Sequence, residues 1–157
     1  MGIAIGSLGL IAVLMIVRVK PDRVVFGFYS GECVTNCGTM YQVEATSIVI
    51  DSNSFWKTYT ADRFEIQGRR YTAPDEQEGY DHLKLAIPLI MLVEPRARIG
   101  CPDCHDQGGL FVEFTLAGMK RRFFIDPNNP PLYYPGLKDD IVSNVDEMKS
   151  ALTPSLR

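Results

Sequence analysis

The longest apolar run lies at the start of the chain, where residues 1–17 (MGIAIGSLGLIAVLMIV) include no charged side chain. A helix of this length spans about 25 Å. Adding Arg18 and Val19, with the arginine reaching toward the interface, brings it near the ~30 Å hydrocarbon core of a membrane. The run lacks the basic leader and small-residue cleavage site of a secretory signal. We therefore expect residues 1–19 to form an uncleaved transmembrane anchor.

Three glycines in this run indicate what the anchor contacts. Gly2 and Gly6 form a G-x-x-x-G pair, and Gly9 follows nearby. Small residues at this spacing let a second membrane helix approach closely. The predicted partners are therefore integral membrane protein subunits, together with membrane lipid.

The side of the membrane on which the rest of the chain lies is contested within the sequence. Residues 20–23 form a basic juxtamembrane linker, and the positive-inside rule would keep the following domain in the cytoplasm. The cysteines favour an exported, periplasmic domain instead, because disulfides persist in oxidising compartments. We expect a single-pass membrane protein with its domain, residues 24–157, on the periplasmic side.

Strand patterns dominate the first and central parts of this domain. The β-branched and aromatic stretches fall at residues 24–29, 41–50, 55–60 and 63–71, the last interrupted by Gly68. The clearest hairpin joins residues 110–116 (LFVEFTL) to residues 119–125 (MKRRFFI) through a two-residue turn, Ala117-Gly118.

Two helices are predicted among these strands. One spans about residues 74–87 and ends at Pro88, while residues 89–93 (LIMLV) are compatible with helix or buried strand. The other carries one apolar stripe at helical spacing, formed by Leu137, Ile141, Val145, Met148 and Leu152. Consecutive hairpins imply an antiparallel sheet, so the predicted fold class is α+β, with an antiparallel sheet and two helices packed on one face.

Charge excludes one class of partner. The chain has a formal net charge of −3, and removing Arg18, Lys20, Arg23 and Asp22 leaves 13 basic and 18 acidic residues, or −5, in the domain. No basic face marks the protein as a nucleic-acid binder, so no nucleic acid is expected among its partners.

Two stretches of the first half resemble a known family. The stretches are GECVTNCGTMYQVEATS (31–47) and IQGRRYTAPDEQ (66–77), separated by a strand–turn–strand pattern. Over about residues 24–126 the chain resembles the DUF6438 domain, whose members are mostly bacterial exported proteins and lipoproteins. Cys33, Cys37 and Tyr41 match its cysteine and tyrosine positions, although the glycine and proline of its motif are missing. The resemblance implies an exported domain and brings no catalytic residue.

The four cysteines form two tight pairs, Cys33/Cys37 and Cys101/Cys104, and three hypotheses compete for them. The first is structural disulfides, either within each pair or tying the first hairpin to the later loop. The second is a covalent c-type haem, because Cys101, Cys104 and His105 form a C-x-x-C-H motif. The third is a four-cysteine zinc site. A thioredoxin-like site is not expected, because no predicted strand leads into the C-x-x-C stretch.

Motifs for catalysis are missing from the sequence. There is no nucleophile elbow, P-loop, dinucleotide fingerprint or paired-histidine zinc motif. We therefore expect no enzymatic activity and no cofactor, and interpret the chain as an accessory or stabilising subunit of a larger membrane complex of respiratory or photosynthetic type. The alternative is an electron-transfer subunit with haem c at Cys101, Cys104 and His105.

Overall fold

The computed structural model describes residues 17–30, 37–52, 66–73, 79–102, 104 and 107–152. This part of the chain contains two 3₁₀ turns, Tyr80–Leu83 and Leu89–Leu92. Its strands and α-helix are β1 (Arg18–Val19), β2 (Arg23–Tyr29), β3 (Gly38–Val43), β4 (Ser47–Asp51), β5 (Arg69–Thr72), β6 (Ile87–Pro88), β7 (Arg98–Ile99), β8 (Gly109–Leu116), β9 (Met119–Ile125) and α1 (Leu137–Leu152).

Seven of these strands form one mixed sheet in the order β5-β4-β3-β2-β8-β9-β7. Neighbouring strands run antiparallel except β7 and β9, which are parallel. In the centre of the sheet Phe26 lies opposite Tyr41 on one side and Val112 on the other. Strands β1 and β6 pair separately as a short antiparallel ribbon.

The main hydrophobic core lies between one face of the sheet and α1. Because side chains alternate across a strand, every second residue of β2, β3, β8 and β9 points to this face. The segment from the first 3₁₀ turn to the second closes the same face with Leu83, Leu85, Ile87 and Met91. A fully buried aliphatic or aromatic side chain contributes about 1.5–3 kcal/mol. Buried core residues include Val24, Phe26, Val43, Ile48, Leu110, Val112, Phe114, Phe123, Ile125, Ile141 and Met148.

The opposite face of the sheet is divided into an apolar end and a polar end. A smaller cluster of Val25, Tyr29, Met40 and Phe111 occupies the apolar end. The polar end is centred on Glu113, whose side chain is completely buried.

The predicted fold class is wrong. The described chain is mostly β-sheet with one α-helix, whereas an α+β fold with two helices was expected. Residues 79–87 of the predicted helix at 74–87 instead form a 3₁₀ turn and an extended segment, and residues 74–78 lie outside the described residues. Leu83 and Ile87 have helical spacing, but Leu85 between them is also buried, and Pro88 cannot continue a helix. Residues 89–92 form a second 3₁₀ turn.

The predicted membrane anchor is also corrected. Within the described ranges no helix is long and apolar enough to cross a membrane. Arg18 and Val19, predicted to end the helix of residues 1–19, are strand residues paired with Pro88 and Ile87. This finding contradicts the single-pass membrane localisation and the membrane partners that depended on it. Residues 1–16, with Gly2, Gly6 and Gly9, lie outside the described residues.

Two predicted elements are confirmed by the structure. The hairpin of β8 and β9 turns at Ala117 and Gly118, whose φ values of 49° and 79° match the two-residue turn that suits the twist of a hairpin. Helix α1 buries the predicted stripe, formed by Leu137, Ile141, Val145, Met148 and Leu152. A strand expected at 41–50 is divided into β3 and β4, and the strand expected at 55–60 lies outside the described residues.

Candidate binding cleft

A cleft of about 530 Å³ opens where β2 ends and β3 begins, beside the C-terminal half of α1. We call it the α1 cleft. Its volume lies within the usual range of ligand-binding pockets. It is lined by Phe28, Tyr29, Ser30, Cys37, Gly38, Thr39, Tyr41, Gln107, Gly108, Val142, Val145, Asp146 and Lys149.

Helix and sheet each supply apolar surface to the cleft. Val142 and Val145 are three residues apart on α1 and therefore lie on the same side of the helix. Val145 is nearly buried, whereas Val142 keeps 42% of its surface exposed. Phe28 and Tyr41 contribute from neighbouring strands. The cleft thus offers an apolar contact that the fold itself leaves partly uncovered.

A cationic side chain, an anionic side chain and a phenol border this apolar surface. The ammonium of Lys149 lies 3.5 Å from the carboxylate of Asp146 one turn earlier on α1, and both side chains are more than half exposed. Burial raises the pKa of Tyr41; nearby Lys149 lowers it and Asp146 raises it further, but burial prevails. The Tyr41 phenol therefore keeps its proton at neutral pH.

The loop that carries Cys101 and Cys104 approaches the cleft through Gln107. The side-chain amide of Gln107 donates to the Cys101 carbonyl oxygen at 3.1 Å, and Gln107 itself lines the cleft. Cys101 and Cys104 are joined in a disulfide with their Cα atoms 5.4 Å apart. Within this turn the Cys104 N–H donates to the Cys101 carbonyl at 3.1 Å.

This loop is also held by Asp126, which directly follows β9. One carboxylate oxygen of Asp126 accepts the Cys101 N–H at 3.2 Å, and the other accepts the Gln107 amide at 3.1 Å and the Asn128 N–H at 2.8 Å. A disulfide that closes a ring of four residues restricts the unfolded chain little, and its contribution is about 2 kcal/mol. Hydrogen bonds to Asp126 therefore position the loop independently of the disulfide.

Glycines at both ends of the loop explain its path. Gly100 and Gly108 have φ values of 70° and 71°, a left-handed conformation that other residues adopt at a cost. A Cβ at Gly100 would lie 2.6 Å from the Cβ of Asp126. At Gly108 it would lie 2.4 Å from the Tyr29 carbonyl oxygen. The loop consequently packs close to both β2 and the turn after β9.

The structure separates the cysteines into two environments. Cys37 is disulfide-bonded and only 2% exposed, whereas Cys101 is exposed and Cys104 is half-buried. Cys33 lies outside the described residues. Because Cys101 is bonded to Cys104, it does not form the cross-tie to the first hairpin that the sequence left open.

The haem and zinc hypotheses are both affected by this geometry. Thioether bonds to a haem need the two sulfurs that the disulfide joins to each other. His105, the expected iron ligand, lies outside the described residues, so covalent haem stays a prediction. Among the described ranges, no group of three or more His, Cys, Asp and Glu residues is arranged to hold a metal ion.

A second polar site surrounds Glu113 on the opposite face of the sheet. Its carboxylate accepts hydrogen bonds from Arg23 at 2.9 Å, Lys120 at 3.1 Å and Arg122 at 2.8–2.9 Å. Burial alone would raise the pKa of Glu113, but the hydrogen bonds from Arg122, Lys120 and Arg23 outweigh it and lower the pKa. Each oxygen is paired, so this cluster is a satisfied structural network.

Glu94 forms a third polar site next to the proline-rich loop at residues 128–133. Its carboxylate accepts two hydrogen bonds from the Arg96 guanidinium, at 2.7 and 2.9 Å, and one from the Tyr133 hydroxyl at 2.9 Å. The hydrogen bond from Arg96, opposed by burial and reinforced by Tyr133, lowers the pKa of Glu94 to about 2. Tyr133 and Glu94 together fix the loop on which Leu132 is 98% exposed.

Comparison of the chain with protein-family models, with curated proteins and with solved structures finds no match. The resemblance to the DUF6438 domain therefore rests on the motif residues alone and stays a prediction.

Sequence reasoning found the cysteine pairs but missed the α1 cleft. Tyr41 and Lys149 are 108 positions apart, and only the packing of α1 against the β2–β3 end of the sheet brings them together. Glu113 carried a visible signal, because it is a lone charge within the apolar strand LFVEFTL. Gln107 and Asp126 carried none, because both types are common in loops.

Proposed function

We propose that this protein is an accessory subunit that binds a partner polypeptide in the α1 cleft. The observation that carries the proposal is an apolar wall formed by the exposed Val142 and the buried Val145 and bordered by the ion pair of Asp146 and Lys149. An apolar side chain of the partner would fill the space beside the valines. Donors and acceptors on the rim would meet its backbone.

The composition of the cleft supports a binding role. Binding sites are mostly apolar with a few placed polar groups that fix orientation. A rim with one positive and one negative side chain suits an uncharged peptide backbone better than a strongly charged ligand. The Tyr41 phenol, held in its protonated form, adds a hydroxyl that both donates and accepts.

The test uses a random peptide library displayed on phage and the full chain as bait. We expect enriched peptides to share one large apolar residue and to bind the Val142→Asp variant at least roughly tenfold more weakly, since the new carboxylate would be desolvated by the ligand. Val93→Asp is the matched control, because Val93 is 63% exposed and does not line the cleft. An equal loss of peptide affinity in both variants, or no loss in either, would refute the proposed site.

A further inference from the structure

The disulfide of Cys101 and Cys104 combines three properties that a structural crosslink does not need. It is exposed at Cys101, it lies in a single turn of chain, and its loop is held by other bonds. We propose that Cys101 and Cys104 form a thiol–disulfide exchange site that takes a dithiol polypeptide as its substrate. This inference goes beyond the proposed binding function and does not rest on it.

Exposure selects which sulfur of the Cys101–Cys104 disulfide is attacked. Exchange needs direct access of an attacking thiolate to one sulfur of the bond. Cys101 is exposed, whereas Cys104 is half-buried. An incoming thiolate consequently meets Cys101, and Cys104 is the leaving sulfur.

The loop is built to keep its shape in both oxidation states. Asp126 accepts the Cys101 N–H, and the Cys104 N–H donates to the Cys101 carbonyl, so neither hydrogen bond involves a sulfur atom. Gln107 adds a further hydrogen bond from its side chain to the Cys101 carbonyl. Reduction therefore leaves the two thiols side by side, ready to form the bond again.

The element before the motif differs from the sequence expectation. A strand was not expected to precede the C-x-x-C stretch, yet β7 (Arg98–Ile99) ends two residues before Cys101 and pairs with β9. Strand β7 and Asp126 at the end of β9 hold the first cysteine at the edge of the sheet. The attacked sulfur thus belongs to a fixed part of the structure.

The exchange is balanced as a two-electron transfer. A thiolate of the substrate attacks the Sγ of Cys101, the bond to Cys104 breaks, and the Cys104 sulfur leaves with the electron pair and takes up a proton. The second substrate thiolate then attacks the substrate sulfur of the mixed disulfide, and Cys101 leaves and is protonated. The substrate dithiol is oxidised to a disulfide, and Cys101 and Cys104 are reduced to two thiols.

The first test mixes the full chain with a synthetic two-cysteine peptide whose fluorescence is quenched when its disulfide closes. We expect one equivalent of peptide to be oxidised per protein, roughly tenfold faster than by oxidised glutathione at the same concentration. Alkylation and mass mapping should then place the new thiols at Cys101 and Cys104. A rate equal to that of glutathione, or thiols found at Cys37 instead, would overturn the proposal.

A trapping experiment tests the order of attack. The Cys104→Ser variant lacks the sulfur bonded to Cys101 and should hold a 5-thio-2-nitrobenzoate adduct on Cys101. Cys101→Ser should form the corresponding adduct roughly tenfold more slowly, because Cys104 is half-buried. Equal rates in the two variants would contradict the assignment of Cys101. If either variant fails to fold, acid quenching of the wild-type reaction and mass mapping of the mixed disulfide identify the attacked sulfur; a peptide attached to Cys104 would contradict the assignment.

Discussion

At the scale of single residues, the molecule satisfies its buried charges with several partners each. Glu113 is completely buried on β8, yet three cationic side chains donate to its two oxygens. Without partners, burial of such a carboxylate would cost several kcal/mol of hydration free energy. The three cations keep contact with solvent, so the network spans the boundary between the sheet and water.

Replacement of Glu113 by Gln should therefore be costly. The substitution removes the charge that three cations share, and we expect the free energy of unfolding to fall by about 3 kcal/mol. Glu44→Gln is the matched control, because Glu44 is 37% exposed and lies 3.6 Å from the same Arg23. Its loss should stay below about 1 kcal/mol. Urea unfolding measures both, and equal losses would show that burial of Glu113 does not matter.

Glu94 makes the stability of the fold depend on pH. Its pKa is about 2 in the folded chain against an ordinary value of 4.5, so its ionised form stabilises the fold above pH 4.5. That contribution is lost progressively as the pH falls from 4.5 toward 2. The wild type should exceed Glu94→Gln by about 1–2 kcal/mol at pH 7 and by less at pH 3.

The pH experiment has a simple control on α1. Glu147 is exposed, and its carboxylate takes part in no ion pair within the described part of the chain. Urea titrations of wild type, Glu94→Gln and Glu147→Gln at the two pH values should show a changing gap for Glu94 alone. A constant gap between wild type and Glu94→Gln would contradict the role assigned to Arg96 and Tyr133.

At the scale of elements, the sequence predicted the secondary structure correctly wherever the apolar residues followed a single periodicity. Strands β8 and β9 alternate on either side of a two-residue turn, and α1 carries five apolar residues at helical spacing, so both were predictable. The segment from Tyr80 to Leu92 was not. Its apolar residues fit a helix and a strand equally well, and the choice depends on how the segment packs over the sheet.

The C-x-x-C loop is an element whose stability is predicted to depend little on its disulfide. Replacing both Cys101 and Cys104 by Ser should lower the free energy of unfolding by about 2 kcal/mol, because the ring is short. Replacement of Asp126 by Ala is the comparison, since it removes the acceptor of three hydrogen bonds. Chemical unfolding measures both, and a loss above about 4 kcal/mol in the double variant would identify the disulfide as the main support of the loop.

At the scale of the whole molecule, the proposed binding site depends on an arrangement that no local sequence pattern describes. The α1 cleft combines the ends of β2 and β3, the loop residues Gln107 and Gly108, and the last turns of α1. The sequence predicted β2 and α1, whereas residues 38–40 of β3, which reach the cleft, fell before the strand predicted at 41–50. It could not indicate that the β2–β3 end of the sheet and the end of the helix meet, because that follows from the strand order β3-β2-β8.

Hydrogen–deuterium exchange of the full chain, with and without a peptide selected on it, tests whether the α1 cleft is the binding site. Binding in the α1 cleft predicts slower exchange at residues 28–30, 37–41 and 142–149, which line or adjoin it. The proline-rich loop at residues 128–133 should be unchanged. Protection confined to that loop, or to the strands around Glu113, would contradict the proposed binding site.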